Sequence, residues 1–296
     1  MSLTKTINAL LSRFNLAIIR RNTLDSITAS GSVARHMQDL HKELLRHQIA
    51  TKWELVDFTM RATAREGENR RCPLCDHAGM DDTFAKFESH CIFGGGTLLR
   101  HQCPACDVIF GADKMFQLSS AELTQDYEWH YKVYEEGDST ELELRAFHCL
   151  HPSREGTYLN YGAGGWSRSV QILRDEGWNV MAFEPHGSAS SGADYVISSQ
   201  SALSTMKFDG IFSNNVLEHL RQPVSDLSFM RSLLKLGGRM SHATPCFDYL
   251  YEFTRFHLFF YLGKSRTVLA QEANLFIKEF VADGEFMCCV LESTES

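Results

Sequence analysis

Residues Thr157–Pro185, TYLNYGAGGWSRSVQILRDEGWNVMAFEP, decide the fold. Thr157–Tyr161 is a short apolar run that passes directly into Gly162-Ala163-Gly164-Gly165. It is followed by a segment carrying Val170, Ile172 and Leu173 at helical spacing, which predicts strand, glycine turn and helix in that order. After the helix stop at Gly177, a second apolar strand, Asn179–Phe183, ends on Glu184-Pro185. Glycines let a backbone approach a ligand closely, and a carboxylate at the next strand tip can accept from both hydroxyls of a ribose. The stretch therefore points to a nucleotide-type pocket. An acid roughly 20 residues after a glycine turn is also the mark of a dinucleotide site, so NAD competes at this point.

Downstream, Phe208–Ser213 reads as another buried strand and runs into Asn214-Asn215-Val216-Leu217-Glu218-His219-Leu220. A helix follows, then Leu234-Lys235-Leu236-Gly237-Gly238-Arg239 as a turn before a strand at Arg239–Thr244. With these segments the chain resembles the class I S-adenosylmethionine-dependent methyltransferases. In that family the first strand ends in a glycine turn, the second in an acid, and the fourth often leads into a Val-Leu-Glu-His segment, here Val216–His219. A dinucleotide fold gives no account of FDGIFSNNVLEH or of the LKLGGR turn. The resemblance spans about half the chain and implies an α/β, Rossmann-like, seven-stranded sheet closed by a terminal antiparallel hairpin. That hairpin is expected at Phe276–Val281 and Glu285–Leu291, which makes Cys288 and Cys289 core residues. The third strand is expected at Asp194–Ser198 and the late helix at Ser265–Ala273. The resemblance also implies a binding set for S-adenosylmethionine: Asn160, Tyr161, Gly162, Gly164, Glu184, Pro185, Ser199, Asn214 and Val216. One position departs from the family. Asn160 stands where an acid is usual, and an amide cannot attract the methionine ammonium as a full charge would.

The nine cysteines say more by arrangement than by number. Cys72-Pro73-Leu74-Cys75 and Cys103-Pro104-Ala105-Cys106 are two tight knuckles joined by a hairpin-length spacer containing Gly94-Gly95-Gly96. Such a pair of loops points four thiolates at one tetrahedral ion, the construction of a zinc ribbon. Four thiolates close the site, so the zinc is expected to be structural; His90, Cys91 and His101 rank below them as substitute ligands.

The whole chain of 296 residues is 44% apolar and carries a net charge of −8, which disfavours nucleic acid as the main partner. No apolar run is long enough to span a bilayer, and the expectation is a cytoplasmic protein. The divisions expected are 1–60, a helical N-terminal extension; 61–120, the zinc ribbon, entered through a polar linker at Ala62–Arg71; 121–150, a tyrosine-rich connector; and 151–296, the methyltransferase domain. The first 50 residues hold seven basic side chains against three acidic ones, so this end could contact an anionic membrane surface or an acidic partner protein, or pack on the body or a second subunit.

In the connector, Tyr127, Trp129, His130, Tyr131 and Tyr134 lie among many acids, a mixture suited to carbohydrate. It resembles the connector of bacterial methyltransferases of sugar and surface-polysaccharide pathways, in which a zinc ribbon precedes the catalytic domain. The alternative is a helix that packs these rings between domains. Methyl transfer to a hydroxyl needs a base. His219 and Glu218 stand first, at the mouth of the fourth strand, followed by His257 and Tyr131. Two other classes stay open: an RNA methyltransferase holding RNA on its ribbon, and a non-catalytic binding protein of this fold. The ribbon region Arg61–Asp113 carries six basic and eight acidic residues, the wrong balance for gripping RNA.

Overall fold

The computed structural model describes residues 32–63, 69–135, 137–164, 167–185, 193–250 and 253–294. Residues 1–31 of the expected helical extension, residues 64–68 of the polar linker, and Gly165 lie outside them. The chain divides into two units, Met1–Ile49 and Ala50–Ser296. In the first, residues 32–49 are helical and expose Met37, Leu40 and Leu44. The helix spans Ser32–Thr63, so the helical extension runs past residue 60.

In the second unit the larger sheet is built from β6 (Thr157–Tyr161), β7 (Asn179–Phe183), β8 (Val196–Ile197), β9 (Phe208–Asn214), β10 (Leu234–Ala243), β12 (Leu275–Asp283) and β13 (Phe286–Ser293). Their order across the sheet is β12-β13-β10-β9-β6-β7-β8. The pairs β8–β7–β6–β9–β10 are parallel, and β13 enters antiparallel between β10 and β12. This is a doubly wound sheet closed by a hairpin. The chain reverses order beside β6, so the carboxyl ends of β6 and β9 border the crevice where ligands of open α/β sheets bind. Phe147, Tyr158, Leu173, Val180 and Phe212 fill the core on one face, and Cys288 and Cys289 are buried as expected.

Two strands differ from their expected bounds. The third is only Val196–Ile197, an edge strand bonded to β7 alone. The LKLGGR segment belongs to β10 instead of preceding it: Leu234 pairs with Phe208, register shifts, and pairing resumes at Arg239 with Gly210. Gly237, at φ +76°, permits that irregularity without the strain a side chain would bring.

The cysteine region holds a hairpin of β1 (Asn69–Arg71) and β2 (Ala78–Met80), then an antiparallel sheet of β3 (Ala85–His90), β4 (Thr97–Gln102) and β5 (Ile109–Gly111). Its fourth strand comes from far along the chain. Phe259–Phe260, β11, pairs with Phe110 and Ile109, so the aromatic stretch Phe253–Gly263, between β10 and β12, completes this sheet. A buried charge network holds the same junction: Arg255 and Asp126, both fully buried, pair at 2.6 Å, and Asp126 also accepts from Trp53 Nε1 and Lys52 Nζ. Arg100 of β4, buried as well, donates to the carbonyls of Thr254 and His257.

Candidate active site

The glycine turn after β6 is locked to the next two strands. Gly162 donates its N–H to the Phe183 carbonyl at 2.8 Å, Gly164 donates to Glu184 Oε2 at 2.9 Å, and the Glu184 N–H reaches the Ile197 carbonyl. Gly162, at φ +78°, sits so close to Val216 that a Cβ there would lie 2.8 Å from Val216 Cγ2. Gly164, at φ +61°, has nothing among the described residues within 4 Å of where its Cβ would be. A ligand can therefore approach bare backbone at Gly164, with the Glu184 carboxylate at the tip of β7. Tyr161 is buried, Pro185 follows Glu184, and Ser199 caps the turn at Gln200–Leu203 through its hydroxyl. Asn214, at the end of β9, is buried, and its Nδ2 has no hydrogen-bond partner.

Beyond β9 the chain brings together three of the four residues named as bases. Ligand atoms of Glu218, His219 and His257 lie within 4.8 Å of one another. Glu218 is fully buried; its Oε1 accepts from Thr244 at 2.7 Å while Oε2 has no partner, and burial pushes the carboxyl up to about 7. Burial holds His219 down at about 4, against a hydrogen bond to the Phe256 backbone that raises it. An imidazole is ordinarily more basic than a carboxylate, and the folded environment reverses that order here. His219 Nδ1 meets Tyr127 Oη at 3.3 Å, and His257 Nδ1 meets Cys246 Sγ at 3.7 Å. Three such atoms could face a divalent ion. Each residue is already engaged by a protein partner, though, so the cluster is better suited to handling a proton than to holding a metal.

Tyr131 reaches the cluster indirectly. It stacks on Tyr127 at 5.9 Å, and Tyr127 stacks on Phe256 at 4.3 Å. Tyr131 is 39% exposed, whereas His130, Phe93 and Tyr134 pack together as a seam. The contacts show the packing role weighed for the connector: some of its rings fill an interior seam, and Tyr127 and Tyr131 stack toward the cluster.

Residues 140–275 match a family model described as a methyltransferase domain. The sheet that this stretch builds has the α/β fold typical of class I methyltransferases. No curated protein sequence matches it. Among solved structures it is similar to a Burkholderia thailandensis 1,6-didemethyltoxoflavin-N1-methyltransferase, at 15% identity over 66% of this chain and 95% of that one, TM-score 0.49. It is also similar to CalO1, a methyltransferase in calicheamicin biosynthesis, at 13% identity over 59% and 58%, TM-score 0.43. A third is the mitomycin 7-O-methyltransferase MmcR, at 14% over 60% and 61%, TM-score 0.44. The chain spans under two thirds of the length of the last two.

Within the methyltransferase domain the departure at Asn160 has a counterpart that sequence reasoning missed. Glu143, in the helix Thr140–Cys149, is buried beside it, and its Oε2 accepts from Asn160 Nδ2 at 2.6 Å, Ser169 Oγ at 2.6 Å and Ser167 Oγ at 2.8 Å. Its Oε1 accepts from Ser139 Oγ at 2.6 Å. Burial raises this carboxyl, and those four donors oppose the rise. A signal was present: Thr140, Glu143, Ala146, Phe147 and Leu150 form the inward stripe of the helix, and an acid on such a stripe calls for partners. Tyr127 carries no comparable mark, since its contact with His219 spans 92 residues.

The four knuckle cysteines converge. Cys72 and Cys106 sulfurs are 3.8 Å apart, those of Cys75 and Cys103 3.7 Å apart, and all four lie within 4.8 Å of one another. Tetrahedral ligation at about 2.3 Å per Zn–S bond separates sulfurs by about 3.8 Å, so the set fits zinc. The two knuckles repeat one geometry. Asp76 and Asp107 both take positive φ, and the Cys72 and Cys103 N–H groups donate to the carbonyls of His77 and Val108. His90 and Cys91 stand apart from the four; Cys91 instead accepts from Arg255, and His101 faces Asp81.

Proposed function

We propose that this chain transfers the methyl group of S-adenosylmethionine to a hydroxyl of a sugar or glycan. The observation that carries the reading is the contact of Tyr127 Oη with His219 Nδ1. It joins an aromatic ladder, Tyr131 on Tyr127 on Phe256, to the proton-accepting cluster after β9. Rings stack on the apolar faces of sugars, and acids nearby accept their hydroxyl protons.

In this reading the cofactor lies along Tyr161, Gly162 and Gly164, with its ribose on Glu184 and its adenine end between Ser199 and Val216. The reaction is an in-line displacement: the acceptor oxygen forms a bond to the methyl carbon, the carbon–sulfur bond breaks, and the neutral thioether leaves. The hydroxyl proton passes to the Glu218–His219–His257 cluster. His219, held near 4 by burial, is neutral at physiological pH and its Nδ1 faces Tyr127 Oη, so the proton can enter through that pair, and Glu218, raised to about 7, is the member of the cluster that keeps it. We assign the four cysteines to one structural zinc, whose closed thiolate set leaves no position for a reacting water.

The test is turnover of the methyl donor against a panel of nucleotide sugars and glycans, with ribosomal RNA as a counter-substrate and products read by mass spectrometry. Methylation of a panel sugar on oxygen is the expected result. Methylation of RNA alone would overturn the reading.

A further inference from the structure

The carboxylate that the glycine turn lacks at Asn160 is present in three dimensions, and its surroundings leave one polar atom unused. Asn160 is buried at the end of β6, just before Gly162. Its Nδ2 is committed to Glu143 Oε2 at 2.6 Å and to Ser169 Oγ at 3.3 Å, while its Oδ1 is buried with no partner among the described residues. The amide orientation is therefore set by Glu143: a carboxylate can only accept, so it holds the NH2 end and leaves the oxygen end open. A buried acceptor without a donor is costly, and the cost is relieved by a ligand that brings one. Among the described residues the partners of Glu143 are three serine hydroxyls and one amide, all neutral donors, so its charge has no ion pair among them. An uncompensated acid and an unfilled acceptor side by side are the complement of a cationic N–H donor. S-adenosylmethionine brings such a group in its α-ammonium.

We propose that Glu143 is a positioning residue for the methyl donor: it fixes Asn160 so that Oδ1 receives the cofactor's α-ammonium, and it supplies the negative charge that Asn160 cannot. The inference rests on the reading of the glycine turn as the cofactor site. Within the domain it moves the charge from the strand to the helix Thr140–Cys149, one hydrogen bond away. It also explains why position 160 is an amide. An aspartate there would set two carboxylates against each other at 2.6 Å, whereas an asparagine turns that contact into a donor–acceptor pair.

Calorimetry with two ligands separates this role from a merely structural one. S-adenosylhomocysteine carries the ammonium, and 5′-methylthioadenosine has the same nucleoside without the amino-acid part. In Glu143→Gln the affinity for S-adenosylhomocysteine should fall roughly ten- to hundredfold, the order for a lost charge-assisted hydrogen bond, while that for methylthioadenosine stays within about twofold. The double variant Glu143→Gln with Asn160→Asp returns the charge one side chain over and should restore the preference for S-adenosylhomocysteine. Equal losses for both ligands would overturn the inference, as would an unchanged single variant. If only the double variant folds, its preference decides: retained supports the role, absent overturns it. Wild-type protein that binds neither ligand would overturn the cofactor reading itself and this inference with it.

Discussion

Glu184 has two duties that a single substitution exposes. Its Oε2 accepts from the Gly164 N–H, and in the proposed complex the same carboxylate accepts from the ribose hydroxyls. Glu184→Ala should therefore weaken methyl-donor binding by about 1.5–3 kcal/mol, the range for hydrogen bonds to a charged group. Calorimetry giving wild-type affinity would remove Glu184 from the site. At the acceptor end, pH is the sharper probe. Glu218 titrates at about 7, and transfer requires the cluster able to take a proton, so the rate should fall as pH drops through that value. Glu218→Gln should abolish this acidic limb. His219→Ala should lower turnover about 100- to 10,000-fold with methyl-donor affinity nearly intact. A Glu218→Gln profile that keeps the limb would assign it to another group. The identity of these residues is legible from Val216–His219 in the sequence. Their relative basicity is not, because it depends on how far burial disfavours each charge, and burial is settled by Thr244, Phe256 and Tyr127 from three other segments.

Among the elements, the ribbon is bonded to the site it precedes. β4 carries Arg100 three positions before Cys103 and uses it to hold the carbonyl of His257; β5, just after Cys106, pairs with β11, just after His257. Ordering the knuckles therefore orders one wall of the cluster. Elemental analysis should find about one zinc per chain, lost in Cys72→Ser with Cys103→Ser. Turnover of that variant should drop together with its melting temperature, although neither cysteine belongs to the Glu218–His219–His257 cluster. Full zinc content in the double variant would disprove the assignment. The knuckles themselves are legible from the spacing, since two residues between cysteines suffice to aim both sulfurs at one point. The fourth strand of the ribbon sheet is not, because Phe259–Phe260 is too short to announce itself and pairs across some 150 residues of sequence.

At the scale of the whole second unit, one buried ion pair ties the segments together. Asp126 meets Arg255, Trp53 and Lys52, drawn from the connector helix, the aromatic stretch and the long helix. Asp126→Ala would strand a fully buried guanidinium, and unfolding by urea should show a loss of about 3–5 kcal/mol, as for breaking a buried pair from one side. A loss under about 1 kcal/mol would mean that water reaches the site and the pair only decorates it. Among the described residues no helix is long and apolar enough to cross a membrane.

The order of strands, the glycine turn with its acid, the terminal hairpin and the paired knuckles follow from the sequence alone. Each is a local pattern: a periodicity, a glycine where φ must be positive, a fixed spacing between ligands. The tertiary structure decided what required distant residues to meet. It put Glu143 against Asn160, Tyr127 against His219, and β11 onto the ribbon, and it reversed the basicity of Glu218 and His219. Those outcomes depend on which polar groups are drawn out of water together, and the cost of a buried charge is set by neighbours that lie far away along the chain.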